Sequence, residues 1–318
     1  MKQWIARPIL ALGLIVGMFA VVGPLGADAA SQTASVKHSQ VTQTRAKSAL
    51  RDLYINMLAG RASAAAYQKA LTSFSTTYGV IPARVSTPSC PSVGSGLMMT
   101  TTPGLPACLG NRQWNKVALT QADELYCPAN GKYCYCGPAT GYSILQQLGH
   151  AHSTSGELLG QKLLASTKYL ETDYWGNTPW SGRGGDHPMV ESITMWLTGS
   201  YYNGYYEQDG LGMPIGAPDT STFESDVRFD TDYGYSLTAN TTEVWGGYHL
   251  AGHNTTDPKQ HPIGHWLPIY GYYSYGAGFY YADPAHSVPA NWGWTAPQYG
   301  ADSAANFTGL VQARGIVW

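Results

Sequence analysis

The sequence predicts an α+β fold in which helices come first and an antiparallel sheet follows. Three observations predict it. Apolar residues recur at helical spacing in several early segments. Later the chain turns to Tyr, Val, Ile and Trp runs broken by Gly246, Gly271, Gly276 and Gly278. The two kinds of segment do not alternate regularly, as a doubly wound parallel sheet would require.

Residues 1–29 read as a secretory signal peptide. Lys2 and Arg7 precede an apolar run from Ile9 to Val22, and Gly23-Pro24 and a small-residue Ala27-Asp28-Ala29 site follow. The run is shorter than the roughly 20 residues that span a bilayer. Export is therefore expected, with no membrane contact after cleavage. Residues 30–80 read as a flexible Ser/Gln/Thr-rich arm (31–40) and then a helical hairpin. Leu50, Leu53, Tyr54, Met57 and Leu58 repeat up to Gly60, and Tyr67, Ala70, Leu71 and Phe74 up to Gly79. Such a hairpin fits either a removable pro-segment or a subdomain packed on the main body.

Residues 81–115 are dense in Pro, Ser, Gly and Thr and read as a linker, bracketed by Cys90 and Cys108, whose pairing would restrain it. Residues 116–318 should form the main body. Its first helix opens at Gly137-Pro138 and closes near Gly149. Thr154 and Glu157 resemble a capping box ahead of Leu158, Leu159, Leu163 and Leu164, and a further helix begins at Pro188. Gly264 to Tyr272 and Phe279 to Ala282 read as a strand pair joined by a glycine-containing turn, which brings Asp283 near His265.

Charged residues make up 12% of the chain, against about 25% in an average soluble protein. The net charge is -2, and no basic stripe suited to nucleic acid is present. Five cysteines (Cys90, Cys108, Cys127, Cys134 and Cys136) leave one unpaired in an oxidising compartment. Cys136 is the candidate nucleophile. Pro138 belongs in a first helical turn, so Cys136 heads the helix, where the dipole and a nearby imidazolium should pull its pKa below the free-thiol value of about 8.5. His265 is the candidate base, and Asp283 is the acid that orients its ring. No Cys-x-x-Cys spacing suggests a metal site, and neither a metal nor a cofactor is expected.

Cys136-Gly137-Pro138-Ala139, Gly264-His265-Trp266 with Gly271-Tyr272, and Asp283-Pro284 together resemble the bacteriocin-processing-peptidase-like branch of the papain-like cysteine peptidases. The likeness spans roughly residues 116–318 and includes the Leu158-Leu159 and Phe223 to Val227 segments. It implies a papain-like fold, with the nucleophile at a helix N-terminus packed on a sheet that carries His and Asp. It also implies thioester chemistry on a peptide or protein substrate. The family places a Gln about six residues before the nucleophile to hold the oxyanion. Asn130 stands at that spacing from Cys136, whereas Gln121 stands six before Cys127 and offers a rival register. An inserted loop 128–135, clipped by a Cys127–Cys134 bridge, would leave Cys136 as nucleophile and Gln121 as the oxyanion donor. Alternatives are a non-catalytic extracellular binding module on the same fold and an acyl-transferring enzyme with the same triad.

Overall fold

The computed structural model describes residues 25–78, 114–128, 131–201, 204–289, 292–293 and 295–318. In chain order they form α1 (Leu25–Leu58), α2 (Ala64–Tyr78), β1 (Trp114–Lys116), β2 (Tyr126–Cys127), β3 (Lys132–Tyr133), α3 (Cys136–Gln147), α4 (Gln161–Leu164) and α5 (Thr172–Trp175). Then follow α6 (Pro188–Thr198), β4 (Gln208–Gly210), α7 (Thr220–Asp232), β5 (Leu237–Glu243), β6 (Ile263–Tyr273), β7 (Gly278–Ala282), β8 (Tyr299–Ser303), α8 (Ala304–Val311) and β9 (Gly315–Val317). The class is mixed, with eight helices among the described residues and one principal antiparallel sheet. Most of the expected signal peptide, the expected linker and the Cys90–Cys108 pairing lie outside the described residues. No described helix is long and apolar enough to cross a membrane.

The seven-stranded sheet runs β4-β9-β5-β6-β7-β8, with β1 also pairing β6. Strand β6 is the spine. Its first half pairs with β5, setting Thr241 opposite His265 and Asn240 opposite Trp266. Its second half pairs with β7 from Ile269↔Tyr281 onward, across a register shift between Ile269 and Gly271. Beyond Ile269 toward its start, β6 has one edge that no described strand takes up. Helix α3 packs against this strand, and its first residue, Cys136, meets the main chain of Trp266.

Gln40–Trp318 forms one compact unit, to which the expected hairpin belongs. Residues 31–40, expected as a flexible arm, lie within α1. The buried face of α1 is less apolar than its periodicity suggests: Gln43, Thr44, Lys47 and Arg51 alternate on it with Leu50, Tyr54 and Met57. Carboxylates on α7 meet these side chains. Lys47 Nζ lies 3.6 Å from Asp230, Arg51 pairs with Asp226, and the Tyr54 hydroxyl donates to Asp232 at 2.6 Å. The Lys47 ammonium also sits over the rings of Tyr205 and Trp318, at 3.8 and 4.4 Å from their centroids.

One local expectation changes. The Thr154-Glu157 pair does not open a long helix. Ser153 Oγ, not Thr154, accepts the Glu157 N–H at 3.0 Å, and Leu158 bridges to His152 with its side chain in solvent. The helix that follows is the single turn α4, which ends at Leu164.

Candidate functional site

Gly137 and Pro138 set the start of α3. Pro138 needs no N–H partner in a first turn, and Gly137 lets the turn pass close to Thr178. A Cβ at Gly137 would lie 2.0 Å from Thr178 Oγ1. Gly137→Ala is accordingly expected to lower stability by roughly 1–3 kcal/mol through overpacking, readable as a fall in denaturation midpoint. It should also push away the 175–181 segment that borders the same cleft as Cys136.

Among the described residues Cys136 is the free thiol, because Cys127 and Cys134 form a disulfide across the β2–β3 hairpin. Cys136 is 8% exposed and forms part of the wall of a cleft of about 400 Å³. Trp175, Trp180, Leu211, Asn240, Trp266 and Arg314 also border this cleft. The Cys136 thiol accepts the main-chain N–H of Trp266, on the unpaired edge of β6, and that of Gly137. The sulfur therefore lies against the residue that follows His265.

The expected depression of the thiol pKa is not what this environment produces. Burial, followed by the nearby Glu124 carboxyl, pushes the Cys136 thiol up to about 12, and the two N–H donors only partly offset this. The resting sulfur is a neutral thiol, so reaction there requires a base that removes the proton as the sulfur attacks.

His265 and Asp283 are brought together as the strand pair predicts. His265 Nε2 lies 2.9 Å from Asp283 Oδ1, and both side chains are fully buried. Asp283 follows β7 directly and is held by its neighbours. Its N–H donates to the Gln298 carbonyl at 3.1 Å, and its Oδ1 accepts the Ala285 N–H at 2.8 Å. Nε2 faces the carboxylate, which leaves Nδ1 as the ring nitrogen turned away from it. That Nδ1 is buried and has no hydrogen-bond partner.

Sequence reasoning missed the rest of this cluster. The second oxygen of Asp283 accepts from His253 Nε2 at 3.0 Å, and His253 Nδ1 faces Glu243 Oε1 at 2.6 Å. Glu243 ends β5, and His253 comes from the β5–β6 connection, where no periodicity marks it. Burial opposes the charge on His253, but its hydrogen bonds to Asp283 and Glu243 prevail and raise its pKa to about 10, so it is an imidazolium. Desolvation likewise opposes ionisation of Asp283, yet the charges and hydrogen bonds of His265 and His253 hold it well below the usual carboxylate range. The result is a buried row, Glu243–His253–Asp283–His265. Trp292 meets both imidazoles edge to face at 5.2 Å. The ring covers the row against water, which would weaken its hydrogen bonds.

Gln121 adjoins the same cluster. Its Nε2 donates to the Asp283 carbonyl and to Asp123 Oδ1, each at 2.8 Å. Both amide hydrogens are thus committed, and the oxyanion role expected of Gln121 would require it to leave one of these acceptors. Asn130 lies outside the described residues. The donor atoms of His253, His265 and Asp283 lie within 4.8 Å of one another, close enough to hold a metal ion. The pattern of partners fits proton traffic better, because both oxygens of Asp283 already accept from imidazoles.

No protein-family model, no curated protein and no solved structure matches this chain.

Proposed function

We propose that the chain is a secreted cysteine peptidase or amide hydrolase of papain-like architecture, acting on a peptide or protein through Cys136, His265 and Asp283. One observation carries the reading. A free thiol at the head of a helix, open to a cleft, sits against the strand whose His265 is tied to Asp283 at one nitrogen and keeps an unpartnered acceptor at the other. In this reading His265 Nδ1 takes the thiol proton as sulfur adds to the carbonyl carbon. The same nitrogen then protonates the leaving amine, and water releases the thioester. Asp283 fixes the ring and balances the charge that forms on it. The Cys127–Cys134 disulfide supports an oxidising compartment.

A second reading has a specific observation behind it. The raised thiol pKa and the exposed aromatic rings of Tyr174 and Trp175 beside the cleft also suit a non-catalytic binding module. An acyl-transferring enzyme would share the thioester and differ only in its acceptor, which added amines would reveal in the products. The decisive experiment incubates wild type and Cys136→Ala with a peptide library, reads cleavage by mass spectrometry, and follows iodoacetamide labelling in parallel. Cleavage by wild type alone, with loss of the labelled site in the variant, is the expected result. A library untouched by wild type, or cut equally by both proteins, points to the binding module.

A further inference from the structure

We propose that Glu124 is a further catalytic residue, a buried carboxylic acid that donates its O–H to the oxygen made negative when Cys136 adds to an amide carbonyl. The inference rests on the hydrolase reading above and concerns the same site.

Glu124 lies twelve residues before Cys136, on a segment with no regular secondary structure, yet it is only 3% exposed. Its N–H donates to the Pro284 carbonyl at 2.8 Å, which pins it beside Asp283. Its carboxyl accepts the main-chain N–H of Cys136. The Oε1 atom is buried and has no hydrogen-bond partner. A buried polar atom left unpaired costs about 1–3 kcal/mol, and beside a nucleophile such an atom is well placed to be used by the reacting group. Gln121, which the family likeness offers for this duty, has its hydrogens committed.

The charge state follows from the surroundings. The groups facing Glu124 are Asp283, His253, Lys132 and the Cys136 thiol. Burial, then the Asp283 carboxylate, push the Glu124 pKa up to about 8, so the residue carries its proton at neutral pH. In that state it can donate. Once ionised it would repel an oxyanion and make the thiol harder to deprotonate. The bookkeeping is simple. Sulfur bonds to the carbonyl carbon, the C=O π pair moves to oxygen, and the thiol proton passes to His265 Nδ1. Glu124 keeps its proton and shares it with the oxygen through a hydrogen bond. When the intermediate collapses, the pair returns, the C–N bond breaks, and His265 delivers its proton to nitrogen.

The test uses a library-derived peptide amide with wild type, Glu124→Ala, Glu124→Gln and Cys136→Ala. Glu124→Ala is expected to lose about 10²- to 10³-fold in kcat with little change in KM, as removal of an oxyanion donor does. Glu124→Gln, an isosteric donor that cannot ionise, should keep most of the rate and lose the alkaline fall of the wild-type profile near pH 8. The proposal is overturned if Glu124→Ala keeps its kcat, if Glu124→Gln falls as far as Glu124→Ala, or if the alkaline limb survives in Glu124→Gln. Should the alanine variant fail to fold, the glutamine variant and its pH profile decide. In every one of those cases the loss of activity in Cys136→Ala still upholds the hydrolase reading. Retained activity in Cys136→Ala removes both.

Discussion

Replacing His265 by alanine is expected to lower turnover by at least about 10⁴-fold while leaving Cys136 in place to be alkylated. The size follows from the state of the thiol. With a pKa of about 12, only about one thiol in 10⁵ would be ionised at pH 7. An enzyme that relied on a preformed thiolate could tolerate a missing base; the hydrolase proposed above could not. Iodoacetamide labelling of wild type at pH 7 should accordingly be slow and should quicken with rising pH, unlike that of a thiolate–imidazolium pair. Fast, pH-independent labelling between pH 5 and 8 would contradict the neutral-thiol picture, and a His265→Ala variant within tenfold of wild type would remove His265 from the mechanism.

The second large effect is on stability against pH. His253 has a folded pKa raised to about 10 from an ordinary value of about 6.5. A group raised on folding stabilises fully below its unfolded pKa, and the contribution is lost as pH climbs through the folded one. The His253 contribution is therefore complete below about pH 6.5 and gone by about pH 10, a loss of a few kcal/mol. Buried carboxyls shift the balance the same way. Desolvation is the largest cause for each, and it raises Asp209 to about 6, Glu191 to about 7 and Glu207 to about 8, so each contribution fades between about pH 4 and its folded value. Asp283, held low by its two imidazoles, works in the opposite sense, and its contribution disappears only as pH drops below the ordinary carboxylate range. The Tm should thus peak near pH 4 and decline steadily toward pH 10. The gap between wild type and His253→Gln should narrow over pH 6.5–10. A Tm that rises from pH 6 to 9, or a gap that stays constant, would show that His253 is not a buried imidazolium.

Much of this arrangement could be read before any coordinates. Gly137-Pro138 announces a helix start because proline is restricted to the first turn, and α3 begins there. The alternating aromatic runs around the turn at Gly276 give β6 and β7, and from them follows the meeting of His265 and Asp283. What stayed hidden depends on contacts with no local signature. His253 and Glu124 sit on irregular segments, where neither period nor motif marks a side chain that tertiary packing turns inward. The sequence points the thiol pKa in the wrong direction for a related reason. A helix terminus is visible in sequence, but the desolvation that outweighs it comes from neighbours far along the chain. In α1, the polar Lys47 and Arg51 occupy positions that a pattern of apolar residues cannot explain, since their partners are carboxylates on α7.

That ladder between α1 and α7 bears on how the protein would respond to trimming. A pro-segment that is to be shed leaves behind a surface able to face water. Cutting away α1 would instead open to water Asp226 and Asp230, both fully buried, and remove their partners Arg51 and Lys47. Proteolysis on the near side of Gln40 would spare the ladder, whereas a cut between Ser63 and Tyr78 would loosen Tyr67 from Tyr54. Removal of the hairpin is therefore expected to destabilise the compact unit it belongs to.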